Sequence, residues 1–381
     1  MKCRVILVLS AAALVSGCAA HSFPLSNKFV HPVEPACSGS EPCIANDTAQ
    51  VFADVNGTLY PSGWQNYLRP KMSKTRPGEG KWLAGSLLAS STLNSKFRRL
   101  IERDEARQYA ELKDFGQRHK RVFILVHGYN ASVEETNIPF SAVESQLDLK
   151  PGDGVVRFYW DGLIGKGVGV IKTWLKASNA SQTVGSRAFR GLLNQFEGRE
   201  VYVIAHSRGA SVVVSALGNP VYNPKFISRT ASNARLWGKS YRTFLAPKPL
   251  ADRGNKFHLL MLAPAIDRID FCDASEQAKV GKDFVCTKFR PLGPQVKTLA
   301  YTVNSDDPVL GKFFLSSRAL TPTGFGYTPE VGRELKTERY GLFQEYVMEK
   351  PASFHAFKDY AAHPVFQQML QGAGVAKAPA P

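Results

Sequence analysis

Residues 201–210, VYVIAHSRGA, set a serine between an apolar run and a turn of small residues. Val201 to Ala205 read as a buried strand, and Val212 to Val214 with Leu217 read as a helix that follows it. Ala205 lies two places before Ser207 and Gly209 two places after. A strand that reverses sharply into a helix needs small residues at those positions if the seryl oxygen is to project at the sheet edge. A hydroxyl held there acts as a nucleophile when a base takes its proton and donors hold the charge that develops on the substrate. The N-terminus of the following helix carries partial positive charge, so the Arg208 amide is the first expected donor. The second is expected from VHGYN, Val126 to Asn130, where Gly128 lets the backbone come close and the Tyr129 amide follows; His127 is read as structural.

Taken together, VHGYN, VRFYWDG (Val156 to Gly162) and IAHSRGA resemble the α/β-hydrolase superfamily. They are most similar to bacterial members of unassigned function whose strands end in VHGYN, fsWPS and AHSMG, and the similarity spans roughly residues 50 to 370. Trp160 keeps the aromatic of the middle motif, while Asp161-Gly162 stand in place of its Pro-Ser. The resemblance implies the chain order serine, acid, histidine. Asp307, in NSDDPVLG just beyond the run that ends at Val303, fits best as the acid. Its neighbour Asp306, and Asp267 in APAID after the preceding strand, remain rivals. For the base, SFHAFKDYAAHPVF offers His355 and His363. In the resembling proteins a histidine followed by an aromatic precedes a short helix of the type HPVFQQML, which favours His355 and makes His363 a capping or surface residue. His206, next to the serine, is read as lining the pocket, since adjacent residues in the turn do not bring its imidazole to the seryl oxygen.

The resemblance implies acyl transfer to water on a small-molecule or lipid acyl substrate, with no metal and no organic cofactor. His355 would take the proton of Ser207, Asp307 would orient the imidazole, and the Tyr129 and Arg208 amides would hold the oxyanion. Esterase, lipase, thioesterase and peptidase chemistry all stay open, because the three groups do not read the leaving group. The competing class is a non-enzymatic envelope lipoprotein that keeps a hydrolase scaffold for binding; a complete set of serine, aspartate and histidine argues against it.

Elements that would position these groups follow from periodicity. Leu93 to His119 carries apolar residues at helical spacing. Runs at Arg121 to Val126, Gly154 to Tyr159, Glu200 to Ala205, Phe257 to Leu262 and Val296 to Val303 read as strands. Strands alternating with helices imply an α/β fold with a doubly wound, mostly parallel sheet, here of the α/β-hydrolase type. Asn219 to Asn255 and Pro264 to Gln295 are long enough to be cap or lid insertions. VFADVNGTLY, Val51 to Tyr60, reads as a β-hairpin turning at Asn56-Gly57. The same stretch resembles the DxDGT nucleophile motif of haloacid-dehalogenase phosphatases, but Asn56 replaces the second aspartate, and the hairpin reading is preferred.

The first residues, MKCRVILVLSAAALVSGC, combine Lys2 and Arg4 with an apolar run too short to span a bilayer, the pattern of an export signal. Leu14 to Cys18 resembles the bacterial lipobox, which implies lipidation of Cys18; an ordinary cut near Ala20 is the alternative. Ala19 does not resemble the inner-membrane retention signal, so the expected place is the cell envelope, anchored to the outer membrane and facing the periplasm. Of six cysteines, Cys37 and Cys43 form one local pair and Cys272 and Cys286 another, which suggests two disulfides in an exported protein. The formal charge of +16 favours anionic headgroups or acidic polymers at the surface, and no nucleic-acid module is present. The organisation expected is a lipoprotein signal over 1–17, a Pro- and Ser-rich tether over 18–46, one hydrolase domain over 47–370 and a disordered tail over 371–381.

Overall fold

The computed structural model describes residues 43–45, 47–61, 94–165, 174, 177, 180–218, 250–272, 288–311, 323–338, 341–349 and 352–378. The expected export signal, Cys18, Cys37, Cys286 and residues 219–249 and 273–287 of the two expected insertions lie outside these residues. Among the described residues eight strands form one sheet: β1 Cys43–Ile44, β2 Thr48–Ala53, β3 Arg121–Val126, β4 Asp153–Trp160, β5 Glu200–His206, β6 Lys256–Leu262, β7 Val296–Val303 and β8 Phe343–Val347. Their spatial order is β1-β2-β4-β3-β5-β6-β7-β8. β1 runs antiparallel to β2, and every other neighbouring pair is parallel.

The parallel strands are apolar on both faces because helices cover both. Val122, Ile124 and Val126 of β3 join Val201, Val203 and Ala205 of β5 in one core, packed under the helix that follows β5, whereas Phe123, Leu125, Tyr202 and Ile204 enter a second core. This is the period-two alternation of side chains along a strand. Helix α1, Asn94–Arg118, precedes β3, α2, Val133–Gln146, follows β3, and α3, Gly209–Leu217, follows β5. Val212 and Val213 of α3 belong to the first core, Phe140 and Val143 of α2 to the second, so these two helices lie on opposite faces. The chain leaves β3 toward one edge and returns to β5 on the other side. A crevice therefore opens at the carboxyl ends of these two strands, the place where open α/β sheets bind ligands. Further helices that matter for the site are α4 Pro329–Glu338, α5 Phe357–Ala362 and α6 Pro364–Gly372.

Both ends of the chain depart from the expected organisation. Cys43 and Ile44 pair with Gln50 and Ala49, so the sheet begins inside the stretch expected as tether. Cys43 and Cys272 are each disulfide-bonded. After α6, Val375 is fully buried, the Asp148 N–H donates to its carbonyl at 2.9 Å, and the Lys377 N–H donates to the Gln146 carbonyl at 2.8 Å. The expected disordered tail is thus held as far as Lys377, because one apolar side chain enters the second core and the backbone around it finds partners. Among the described residues no helix is long and apolar enough to cross a membrane, and no cluster of three or more His, Cys, Asp or Glu side chains is set to hold a metal ion.

The expected hairpin over Val51 to Tyr60 is present only in part: the chain turns back at Asn56-Gly57, with the Tyr60 N–H donating to the Phe52 carbonyl at 2.9 Å, but the first arm is a strand of the parallel sheet. β2 pairs with β4, and only Ala53 and Leu59 bridge antiparallel across the turn. The fully buried Asp54 closes it by accepting the N–H groups of Asn56 at 2.9 Å and Thr58 at 2.8 Å. Burial raises the Asp54 carboxyl from 3.8 to about 6, against the lowering effect of those bonds and of Arg187. The folded state therefore holds this proton more tightly than the unfolded one, so folding carries an ionisation cost that grows between about pH 4 and pH 6 and is constant above. Asp54→Asn keeps an oxygen for both amides and removes the charge. Its stability relative to the parent is expected to improve by about 2 to 3 kcal/mol between pH 4 and pH 8. Urea unfolding of both proteins at the two pH values checks this, and a difference independent of pH would remove Asp54 as its source.

Candidate active site

Ser207 follows β5 directly and has φ +51°, a left-handed conformation that a residue with a β-carbon adopts only when its surroundings impose it. Those surroundings are visible on both sides. Its N–H donates to the Leu262 carbonyl at 2.9 Å, and its own carbonyl accepts from Ala265 and from Ala210, both at 3.1 Å. The segment after β6 that provides these partners is itself held by Thr302 of β7, whose hydroxyl accepts the Ala263 N–H at 2.8 Å. Gly209 is required by packing: a β-carbon there would lie 2.6 Å from the His127 carbonyl and 2.9 Å from that of Val126. The reversing turn thus presses against the end of β3.

From the other side, Gly128 sits so near that a β-carbon on it would lie 2.8 Å from the β-carbon of Ser207. The loop after β3 is tied down at several points. Asn130 (φ +58°) donates its N–H to the Leu163 carbonyl at 3.0 Å, and its side-chain oxygen accepts the Gly165 N–H at 2.7 Å. Ser132 and Glu135 exchange reciprocal hydrogen bonds as a capping box that starts α2. His127 is structural, as expected: its Nε2 accepts the Trp160 backbone N–H at 3.0 Å, and its carbonyl accepts the Trp160 indole N–H at 2.7 Å. Burial lowers its ring to about 4, so it stays neutral. Tyr129 therefore follows the glycine that touches Ser207, and Arg208 stands at the N-cap of α3. The two residues expected to supply oxyanion donors are thus chain neighbours of Gly128 and of Ser207. The Arg208 guanidinium donates through its Nη1 to the Ala265 carbonyl.

His355 lies in the loop between β8 and α5. Its Nε2 is 2.8 Å from Ser207 Oγ, and its Nδ1 is 2.7 Å and 3.0 Å from the two carboxylate oxygens of Asp307. Asp307 sits in the turn after β7, where its Oδ1 also accepts the N–H groups of Val309 at 2.9 Å and Leu310 at 3.0 Å. A carboxylate surrounded by donors assigns the Nδ1 proton to His355, which leaves Nε2 as the acceptor facing the seryl hydroxyl. Ser207 and Asp307 are 2% and 1% exposed. Such a bond line can move a proton from the serine to the imidazole while an opposite charge is ready to receive the cation.

The profile of a family described as "Alpha/beta hydrolase of unknown function (DUF900)" matches residues 104–287, which include β3, β4, β5, β6 and the Ser207 turn. The chain has the α/β-hydrolase fold. Asp307 and His355 lie beyond the matched span of this hydrolase family. Among solved structures, an iodinated complex of acetyl xylan esterase is similar at 8% identity over 66% of this chain and 97% of that one, with a TM-score of 0.29. An uncharacterized protein from Pseudomonas aeruginosa is similar at 10% identity over 63% of this chain and 41% of that one, with a TM-score of 0.21. No curated protein sequence matches the chain.

The rivals for the acid and the base occupy other places in the hydrolase fold. Asp306 is exposed, one residue from the bonded carboxylate. Asp267 spends its carboxylate on the N–H groups of Arg268 and Gly324, both at 2.7 Å. His363 caps α6, its Nδ1 accepting the Val365 N–H at 3.2 Å. His206 does more than line a pocket. Its Nε2–H donates to the carbonyl of His355 at 2.9 Å, and its ring stacks on Phe357 at 4.8 Å. Burial, helped by the nearby His355, pushes its ring well below the usual histidine range, so it remains a neutral donor that holds the His355 backbone. Its position directly before the nucleophile was the one signal in the sequence that could have marked it.

Two further residues complete the surroundings of Asp307 and carried no sequence signal. The Tyr360 hydroxyl donates to Asp307 Oδ2 at 2.8 Å, and the Asn304 side-chain amide donates to the Tyr360 oxygen at 3.0 Å. The replacement of Pro-Ser by Asp161-Gly162 also has an outcome. Asp161 is buried and accepts the Leu163 N–H at 3.1 Å, which shapes the loop that Asn130 grips.

Proposed function

We propose that this protein is a serine hydrolase of the cell envelope that cleaves an ester or related acyl bond through an acyl-enzyme. The observation that carries the reading is the continuous line from Asp307 through His355 to Ser207 Oγ, at the end of the central strand of an α/β-hydrolase fold. Ser207 Oγ attacks the acyl carbon as His355 Nε2 takes its proton, and Asp307 stabilises the resulting imidazolium. The carbonyl oxygen, now negative, is held by the Tyr129 and Arg208 amides, each such donor being worth about 3 to 4 kcal/mol. Collapse of the tetrahedral species breaks the bond to the leaving group, which departs with the proton from His355. Water then attacks the acyl-serine with His355 again as base, releasing the acid and restoring Ser207.

The envelope part of the reading has separate support. The export-type leader and the lipobox-like segment put a lipid on Cys18, which would hold the domain at the outer membrane facing the periplasm. Pairing Cys37 with Cys43 and Cys272 with Cys286 agrees with an oxidising compartment, and Cys43 and Cys272 are each in a disulfide. A lipid or small-molecule acyl substrate suits this location and the basic surface.

A fluorophosphonate probe, which phosphonylates only activated serines, tests the chemistry. It is expected to modify the protein once, with the adduct on the tryptic peptide that contains Ser207. No adduct, or an adduct confined to another serine, would overturn the proposal.

A further inference from the structure

Asp307 is fully buried, and its two oxygens are treated differently. Oδ1 takes the amides of Val309 and Leu310, while Oδ2 takes the closer contact with His355 and the hydroxyl of Tyr360. Tyr360 stands on α5, the short helix that follows His355, and is itself fully buried. Its oxygen also meets the Asn304 side-chain nitrogen at 3.0 Å. That nitrogen also donates to the Ala352 carbonyl at 2.9 Å, and the Asn304 oxygen accepts the Asp306 N–H at 3.2 Å, so the amide orientation is fixed by its partners. An amide nitrogen can only donate. The Tyr360 oxygen must therefore accept from Asn304, and its single proton must point at Asp307 Oδ2.

We propose that Tyr360, oriented by Asn304, is a positioning residue that sets how strongly Asp307 holds the protonated form of His355. The proposal rests on the reading of Ser207, His355 and Asp307 as the hydrolytic groups. A donor on Oδ2 draws charge from the oxygen that faces the imidazole and weakens its hold on the cation; it also locks the carboxylate in the plane that both His355 contacts need. Asn304 bonds at once to Tyr360 and to Ala352, so it ties the turn after β7 to the loop that carries His355. The titratable groups facing the pair are His206, from the end of β5, and Tyr360, from α5, with the exposed Asp306 beside them in the β7 turn. Burial keeps His206 neutral and holds the Tyr360 phenol above its usual range, so neither changes charge near neutrality.

The test is the rate of fluorophosphonate labelling across pH in the full-length protein. Four proteins are compared: the parent, Ser207→Ala, Tyr360→Phe, and a form carrying 3-fluorotyrosine at position 360. Tyr360→Phe removes the donor. Its labelling rate is expected to fall about 10-fold and the acid limb of its pH profile to move up by about half a unit, since His355 becomes more basic. Fluorotyrosine is a stronger donor of nearly the same shape, and its acid limb is expected to move the opposite way. Packing alone cannot produce shifts of opposite sign. If Tyr360→Phe does not fold, the fluorotyrosine form decides alone, and an unmoved acid limb in it overturns the proposal. Labelling that survives Ser207→Ala, or is absent from the parent, removes the underlying reading and this proposal together. Ser207-dependent labelling with unmoved limbs removes this proposal only.

Discussion

Ser207→Ala is expected to lower turnover of any ester the parent hydrolyses by at least about 10⁴-fold while leaving the protein folded. The loss is large because, among the described residues, the hydroxyl bonded to His355 Nε2 is that of Ser207, at 2.8 Å. Binding and the two proposed oxyanion amides would remain, and they would support only the slow direct attack of water. The fold should tolerate the change, since the left-handed turn at φ +51° is imposed through backbone bonds to Leu262, Ala265 and Ala210 that alanine keeps. One hydrogen bond is lost, worth about 1 kcal/mol. Kinetics on an active ester, together with a thermal melt, check both halves. Turnover above about a hundredth of the parent value in a folded Ser207→Ala protein would end the assignment of the nucleophile.

Asp307→Asn carries the second large effect, and the surroundings of the carboxylate say why. Val309 and Leu310 both present N–H groups to Oδ1, so the oxygen of an asparagine must face them. Its NH2 group then occupies the place of Oδ2, against Tyr360 and His355 Nδ1. A donor there forces Nδ1 to accept, which moves the imidazole proton to Nε2 and turns a donor toward a hydroxyl that needs an acceptor. The imidazolium also loses its counter-charge. Turnover is expected to fall about 10⁴-fold with the geometry preserved. Asp306→Asn and Asp267→Asn should stay within about 3-fold of the parent, because one is exposed and the other is engaged with the Arg268 and Gly324 N–H groups and the Arg268 side chain, not with His355. Steady-state kinetics of the three variants rank the acids, and parent-like turnover in Asp307→Asn would reverse the ranking.

The strands that carry the site were readable with little error. Arg121 to Val126 and Val296 to Val303 are strands over the expected spans, and the run from Glu200 extends by a single residue to His206. Consecutive apolar residues bounded by charged or turn residues have few alternatives when both faces must be covered. β8 was not readable. Phe343–Val347 is an edge strand with only Phe343 buried, so neither a continuous apolar run nor a clean alternation marks it. The packed tail was missed because glycines and alanines dominate it, and one buried valine decides its course.

The reversing turn at Ser207, the loop at Gly128 and the two-sided burial of the central strands were determined by the sequence itself, since each depends on residue size and local backbone freedom. Which carboxylate meets His355, what holds its carbonyl and what bonds behind Asp307 were decided only by tertiary structure. His355 is 148 residues from Ser207 and 48 from Asp307, and Tyr360 is 53 from Asp307. Over such separations a hydrogen bond is set by where a parallel sheet delivers its strand ends, and the pattern of neighbouring residues carries no record of it.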